Sequence, residues 1–522
     1  MATTKEHVSL PLLLFFTLFT ITSYGQRNIT AEILNYTIPV LKRAEDNSIQ
    51  RISIYTPSTA SAVKSISLKI DPNSIAALDK IIIYNTYKEP SFSSQNIAGT
   101  ITVNKSIVTV SIDVSLTPGF TYLWVNPVLK EDAITGKYLK MEVTNLYLTN
   151  NKIIIPRNTN PQKKGWNTGV CIRKPGDDGV HTYRIPGITK TDKNTLIAVY
   201  DIRYSNNRDL PADIDVGMSR STDGGQTWEP MKVIMKMGEI GENSGIGDPA
   251  VLFDPMTKKI WVAALWSKGN RSIAGSEPGL SPDTTGQFVL VSSEDDGKTW
   301  SAPINITAQV KNPIWHLYFQ GPGNGIAMQN GTLVFPSQYW DESKKPGIPH
   351  SSIIYSNDQG KTWKSGIGAK SNTTESQVVE TKPGVLMLNM RDNRGSYRSI
   401  ATTHDLGKTW LEHPSSYNAL PDPICMASII KAKIKVNGTL KDVLFFSNMN
   451  NSDARTHLTI KASLDLGETW KSAHKLLIDE RKSYGYSSLV QIDENTIGIL
   501  YEGVRDLNFV QIPVQEIINN LK

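Results

Sequence analysis

Residues 221–228 read STDGGQTW, and the same eight-residue pattern returns as SEDDGKTW (293–300), SNDQGKTW (356–363), THDLGKTW (403–410) and SLDLGETW (463–470). The central aspartates Asp223, Asp295, Asp358, Asp405 and Asp465 lie 72, 63, 47 and 60 residues apart. Periods of that size suit four short antiparallel strands plus their loops, the unit of a β-propeller blade. β-rich runs precede the copies, such as FVLVS (288–292) and SIIYS (352–356). Within S-x-D-x-G-x-T-W the Asp carboxylate can accept backbone N–H groups of its own turn, and the Gly provides a positive φ without steric cost. Five of the eleven tryptophans fall in these copies, as large rings to wedge against a neighbouring sheet. The repeats are therefore read as structural locks, not as a catalytic set of aspartates. β-rich flanks before Asp223 and after Trp470 predict six blades, the last closed by strands from both ends of the repeat region.

Working outward, residues 27–155 contain no copy of the motif. VTVSIDVSL (108–116) instead alternates apolar and polar residues with the period of a half-buried strand, stopped by Thr117-Pro118-Gly119. RISIY (51–55) and YLKMEV (138–143) read similarly, so this segment is expected to be a small β-sandwich, either a candidate carbohydrate-binding module or a passive spacer. RNTNPQKKG (157–165) reads as part of a linker over 156–165, with the propeller spanning 166–522. Lys5 followed by VSLPLLLFFTLFTITSYG (8–25) is expected to be a secretory signal ending near Gly25, which makes the mature protein secreted or periplasmic, with no integral span once the signal is removed.

Hydrophobic content of 39% and charged content of 20% describe a globular chain, and a net charge of +6 fits an acidic substrate but is too diffuse for nucleic acid. Cys171 and Cys425 allow at most one bridge and otherwise two free thiols. No His/Cys cluster has metal-ligand spacing, so neither a metal nor a cofactor is expected. GPGNGI (321–326) is glycine-rich but precedes a strand, so it is not read as a phosphate cradle.

YRIPGI (183–188) ahead of the repeated boxes resembles the sialidase (neuraminidase) family of retaining exo-α-glycosidases, over roughly residues 166–522. The resemblance implies an arginine triad for the carboxylate of a sialic acid: Arg184, Arg391 in LMLNMRDN and Arg455 in SDARTHLTIKAS. Guanidinium forks suit a carboxylate because they give paired, charge-assisted hydrogen bonds. Arg394 and Arg398 are read as solvated loop charges, and Arg203 in YDIRYS as a further contact near O4 of the sugar. Gln338 in FPSQYW is carried over as a pocket contact.

The same resemblance makes Asp209 in RDLPADID the acid/base, with Asp213 and Asp215 as competitors. As an acid near neutral pH it would need its pKa raised by burial in the occupied pocket. A carboxylate nucleophile would face the substrate's own carboxylate, which favours a neutral attacking group, and the resemblance to sialidases implies Tyr in that role. Tyr486 in YGYSSLV is that residue, with Tyr484 its rival, and Glu375 in SNTTESQVV is its base, with Glu380 nearby. The family commonly has Tyr-Ser-Asp where this chain has Tyr486-Ser487-Ser488. The implied activity is release of terminal α-linked sialic acid from glycoconjugates with retention. The alternatives are a sialic-acid-binding propeller without turnover and an enzyme that transfers the sugar or forms an anhydro product.

Overall fold

The computed structural model describes residues 28–57 and 61–519; the segment read as a signal peptide lies outside them. Among the described residues no helix is long and apolar enough to cross a membrane. The chain is nearly all β: a sandwich followed by a six-bladed propeller.

In the sandwich a six-stranded sheet (order Arg157–Asn158, Thr30–Asn35, Gln50–Thr56, Gly119–Leu129, Leu78–Tyr87, Ile97–Thr102) shares one apolar core with a four-stranded sheet (Ile153–Ile154, Met141–Leu148, Ser61–Ile70, Ile107–Leu116). Strand Ile107–Leu116 alternates strictly, with Val108, Val110, Ile112, Val114 and Leu116 inward, as its period predicts. YLKMEV is not one strand. Tyr138–Leu139 pairs with Trp166–Arg173 of the propeller, and Met141–Leu148 returns to the sandwich, so the chain crosses between the two sheets at Lys140. The stretch read as a linker carries the edge strand Arg157–Asn158, and Asn160 locks onto Asn35 through its amide. Val40–Lys42 likewise adds to the propeller, pairing parallel with Trp166–Arg173.

The blades, numbered I–VI in chain order, have inner strands Thr182–Lys190, Gly245–Phe253, Leu317–Gln320, Thr373–Lys382, Ser428–Val436 and Ser487–Gln491. Each box forms the turn between the third and fourth strands of blades I–V. In blade VI the third strand is Leu507–Pro513 and the fourth is Trp166–Arg173, from the other end of the propeller segment. No hairpin joins them, which is why six blades need only five boxes. In the first box Ser221 Oγ donates to Asp223 Oδ1 (2.8 Å), Gly225 N donates to Ser221 Oγ (2.8 Å), and Thr227 donates through its amide (3.0 Å) and hydroxyl (2.5 Å) to the Asp223 carboxylate.

Each box tryptophan fills the interface with the preceding blade. Trp228 meets Phe509 of blade VI edge-on at 5.3 Å, and Trp363 meets Trp261 of blade II at 6.1 Å. Trp300, Trp410 and Trp470 join the clusters between blades I and II, III and IV, and IV and V. The V–VI interface has no box tryptophan, and Val514, Ile517 and Ile518 of the C-terminal helix Val514–Ile518 occupy its core.

The boxes also make stability acid-sensitive. The Thr362 hydroxyl and amide hold the Asp358 carboxyl down at about 2, and the Thr409 amide and hydroxyl do the same for Asp405. A folded-state pKa below the unfolded value of about 3.9 contributes stability that is complete above that value and is lost as pH falls through the folded one. The urea midpoint is therefore expected to drop between about pH 4 and 2, with a smaller drop in Asp405→Asn.

Candidate active site

YRIPGI folds into the first part of the inner strand of blade I, with a bulge between Arg184 and Gly187. Ile185 is held at φ 57°, a costly conformation for a β-branched residue. Glu502, fully buried, stabilises it. Its Oε1 accepts Ile185 N (2.8 Å) and Arg184 Nε (3.1 Å), while Oε2 accepts Tyr486 N (3.0 Å). One carboxylate thus joins the first arginine to the backbone of the candidate nucleophile.

The three arginines named from the sequence converge on the Tyr486 ring although they lie on blades I and IV and in a loop of blade V. Arg184 Cζ is 5.3 Å and Arg455 Cζ 5.8 Å from the ring centroid, and Arg391 Nη1 donates to Tyr486 Oη at 3.1 Å. Glu375 completes the cluster, accepting from Tyr486 Oη at 2.5 Å on one oxygen and from Arg391 Nη1 at 2.5 Å on the other. Arg455 is aimed by the carbonyls of Tyr484 (2.8 Å) and Ile424 (3.1 Å). Behind Tyr486 lies a small apolar cluster of Ile185, Cys425 and Met426. Cys171 and Cys425 are both free and buried.

Asp209 sits at the rim, its side chain 79% exposed, with Oδ1 2.7 Å from Arg203 Nη1 and 3.5 Å from Arg184 Nη1. The rise expected of Asp209 belongs to the occupied pocket; without substrate its pKa moves the other way. Desolvation by the surrounding loops raises it, but the Arg203 and Arg184 guanidinium groups outweigh that and hold the carboxyl below its usual range. At Tyr486, burial and the Glu375 carboxylate push the phenol well above 10, and Arg391 and Arg184 recover only part of that. The phenol is thus protonated at neutral pH and hydrogen-bonded to Glu375.

The competitors are engaged elsewhere. Asp213 accepts the Gly241 and Asn243 amides, Asp215 accepts the Tyr204 hydroxyl (2.9 Å), and Glu380 accepts the Gln329 and Gly384 amides. The Tyr484 hydroxyl accepts from Asn207 Nδ2 (2.9 Å), and its ring lies under Arg184 at 4.6 Å. Arg203 is buried against Asp201 (2.8 Å) beside Asp209. Gln338 is buried between Phe319 and Ser351 in its sheet and makes no hydrogen bond to the cluster.

Arg394 pairs with Asp392 and is partly exposed, but Arg398 is no loop charge: it is fully buried. Its Nη1 donates to the Cys425 carbonyl (2.5 Å) and its Nε to Asn389 Oδ1 (2.8 Å), supporting the turn whose Ile424 carbonyl orients Arg455. Asp248, a residue the sequence reading does not name, belongs to the same region. It lies in the bulge of the blade II inner strand at φ 56°, with its amide on Asp201 Oδ1 (2.8 Å). Burial, Asp201, Asp209 and Glu375 together raise its carboxyl well above the usual range. Two signals could have found Glu502 and Asp248: a lone carboxylate ending the apolar strand TIGILYE, and a second residue-Pro bulge, GDPA, matching RIPG.

Against known proteins, residues 194–499 match the BNR repeat-like domain family and residues 28–152 match the N-terminal domain of BNR-repeat neuraminidase. A sialidase of Bacteroides fragilis is 47% identical over 414 residues, 78% of this chain and 75% of its own. A sialidase of Micromonospora viridifaciens is 33% identical over 64% of this chain and 52% of its own. The solved Hadza microbial sialidase Hz136 superposes with a TM-score of 0.85 at 38% identity, covering 93% of this chain and 100% of that one. A leech intramolecular trans-sialidase shares the fold at 16% identity, with a TM-score of 0.61 over 94% of this chain and 95% of that one.

Proposed function

Because the chain belongs to the BNR-repeat sialidase (neuraminidase) family, we propose that it releases terminal α-linked sialic acid from sialylated glycoconjugates with retention, through a tyrosyl-enzyme intermediate. The observation that carries the mechanism is the Glu375–Tyr486–Arg391 contact set. Arg184, Arg391 and Arg455 receive the substrate carboxylate. As the Tyr486 oxygen bonds to the anomeric carbon, its proton passes to Glu375 Oε1 and the glycosidic oxygen leaves with the proton of Asp209. Water then attacks the same carbon, Asp209 takes its proton, and the Tyr486 oxygen departs and recovers its proton from Glu375.

The electrostatics fit this sequence of events. A raised phenol pKa means that no phenolate is stored; deprotonation accompanies attack, and a carboxylate at 2.5 Å is placed to take the proton. Asp209 is held low by Arg203 and Arg184, so a substrate carboxylate that neutralises Arg184 raises the Asp209 pKa toward the range a proton donor needs. The address outside the cytoplasm rests on the apolar N-terminal run.

Incubation with a 4-methylumbelliferyl α-sialoside followed by proton NMR tests the reading. Free α-sialic acid appearing before the β-anomer supports it; a first-formed β-anomer, an anhydro sugar or no turnover rejects it. Asp209→Ala is expected to lose about 10²–10⁴-fold in kcat on a natural sialyl oligosaccharide but far less on the methylumbelliferyl substrate, whose leaving group needs little protonation. Equal losses on both would remove Asp209 from the acid role.

A further inference from the structure

The glycine-rich stretch GPGNGI takes no part in the chemistry above, yet it leaves its own blade to contact blades I, II, IV and VI. It follows the inner strand of blade III, but Gly323–Asn324 pairs parallel with the blade II inner strand, Ala250 opposite Gly323 and Val251 opposite Asn324. The Asn324 side chain reaches two further blades. Its Nδ2 donates to the Ile188 carbonyl of blade I (2.6 Å) and the Leu489 carbonyl of blade VI (3.3 Å), and its Oδ1 accepts the Ser488 hydroxyl of blade VI. Ser488 Oγ in turn accepts Ile188 N (3.1 Å). Both carbonyls can only accept, so the amide orientation is dictated by its partners. From blade IV, Gln377 Nε2 donates to the carbonyls of Pro322 (2.8 Å) and Asn324 (3.4 Å).

The glycines make this crossing feasible. A Cβ on Gly187 would stand 2.4 Å from Gly323 O, and one on Gly321 would stand 2.6 Å from Ser376 O; Gly323 itself adopts φ 104°. The backbone of the segment therefore lies directly against the strands of blades I and IV.

Those strands carry the reacting groups. Ile188 is four residues after Arg184, Ser488 two after Tyr486, and Gln377 two after Glu375. The blade interfaces are apolar, and apolar contact is non-directional. It presses blades together but fixes their register around the axis poorly, whereas a catalytic constellation needs placement within about 0.5 Å. Hydrogen bonds are directional, and these meet where the inner strands converge.

We propose that Asn324, with Ser488, is a positioning residue that ties the strands bearing Arg184, Tyr486 and Glu375 into one register. The proposal rests on the roles assigned to those three residues above. It also accounts for Ser488 where the family commonly has Asp: its hydroxyl donates to Asn324 Oδ1 while accepting Ile188 N, and an ionised carboxylate could not donate.

The test uses the full chain, Asn324→Asp and Ser488→Ala, with active sites titrated by a 3-fluorosialyl fluoride so that kcat is expressed per competent site. Asn324→Asp sets a carboxylate oxygen against two carbonyls at constant size, and is expected to lower kcat per site about 10–100-fold, the scale of a sub-ångström to 1 Å misplacement. Ser488→Ala removes one hydroxyl and should lower it several-fold, and the double variant should lose less than the product of the two because both break one tie. A packing role alone would lower the melting temperature or the fraction of competent sites and leave the per-site rate unchanged. An unchanged per-site rate in both variants overturns the proposal; if Asn324→Asp does not fold, an unchanged rate in Ser488→Ala is sufficient to do so. Wild-type turnover, measured in parallel, reports on the sialidase mechanism independently of either variant.

Discussion

Tyr486→Phe is expected to lose at least about 10³-fold in kcat on any α-sialoside while its melting temperature shifts by only a few degrees. The substitution deletes one oxygen. The ring keeps its apolar contacts with Ile185, Cys425 and Met426 and its place between Arg184 and Arg455. Glu375 keeps Arg391 as its counter-ion at 2.5 Å, so no charge is left bare. What disappears is the attacking atom and the proton path to Glu375 Oε1. The arginines still bind the carboxylate, so KM should change far less than kcat. Steady-state kinetics with circular dichroism on the same preparation checks this. Near-normal turnover with the protein folded would mean that another group attacks the anomeric carbon, and the tyrosyl mechanism would fail.

Arg184→Met is expected to damage stability and activity together. Arg184 is the counter-ion of Glu502, whose side chain is 0% exposed, and removing one partner of a buried pair costs about 3–5 kcal/mol. Glu502 would keep the amides of Ile185 and Tyr486 but would bring an uncompensated charge into the wall behind the nucleophile. The triad loses one of its three guanidinium groups as well, and kcat/KM should fall about 30-fold or more, since truncating a buried charge partner costs upwards of about 2 kcal/mol in binding alone. The double variant Arg184→Met/Glu502→Gln separates the two effects: it should recover much of the melting temperature and none of the kcat/KM. Recovery of activity with stability would show that Arg184 acts only as scaffold.

The contrast between these variants reflects how the site is built. The Tyr486 hydroxyl bonds two groups, Arg391 and Glu375, that remain paired with each other when it is removed. Arg184 lies in the middle, between a buried carboxylate and an exposed one. Asp209 and Tyr486 also illustrate why a pKa direction cannot be read from residue types alone. The number of arginines is visible in a sequence, but which carboxylate each one faces, and at what distance, is not. Arg203 at 2.7 Å turns Asp209 downward, while Glu375 at 2.5 Å and burial turn Tyr486 upward despite two nearby cations.

Much of the architecture could be read before any coordinates. The S-x-D-x-G-x-T-W turns carry their own hydrogen-bond logic within eight residues, so they announce blades locally, and their spacing announces how many. Strand Ile107–Leu116 shows its buried face through period two alone. The candidate site was legible residue by residue only through resemblance, because its members stand up to 302 residues apart, from Arg184 to Tyr486. The burial of Arg398 and the tie through Asn324 were not legible, and Glu502 and Asp248 left only the faint signals of a strand-end carboxylate and a residue-Pro bulge, since each depends on a partner brought from elsewhere in the chain. Local order is written in neighbouring residues, whose turn and alternation preferences need no distant contact. Convergence at the axis, the direction of each pKa shift and the tie through Asn324 depend on which carbonyl, carboxylate or guanidinium arrives from the far side of the ring, and only the closed propeller brings them there.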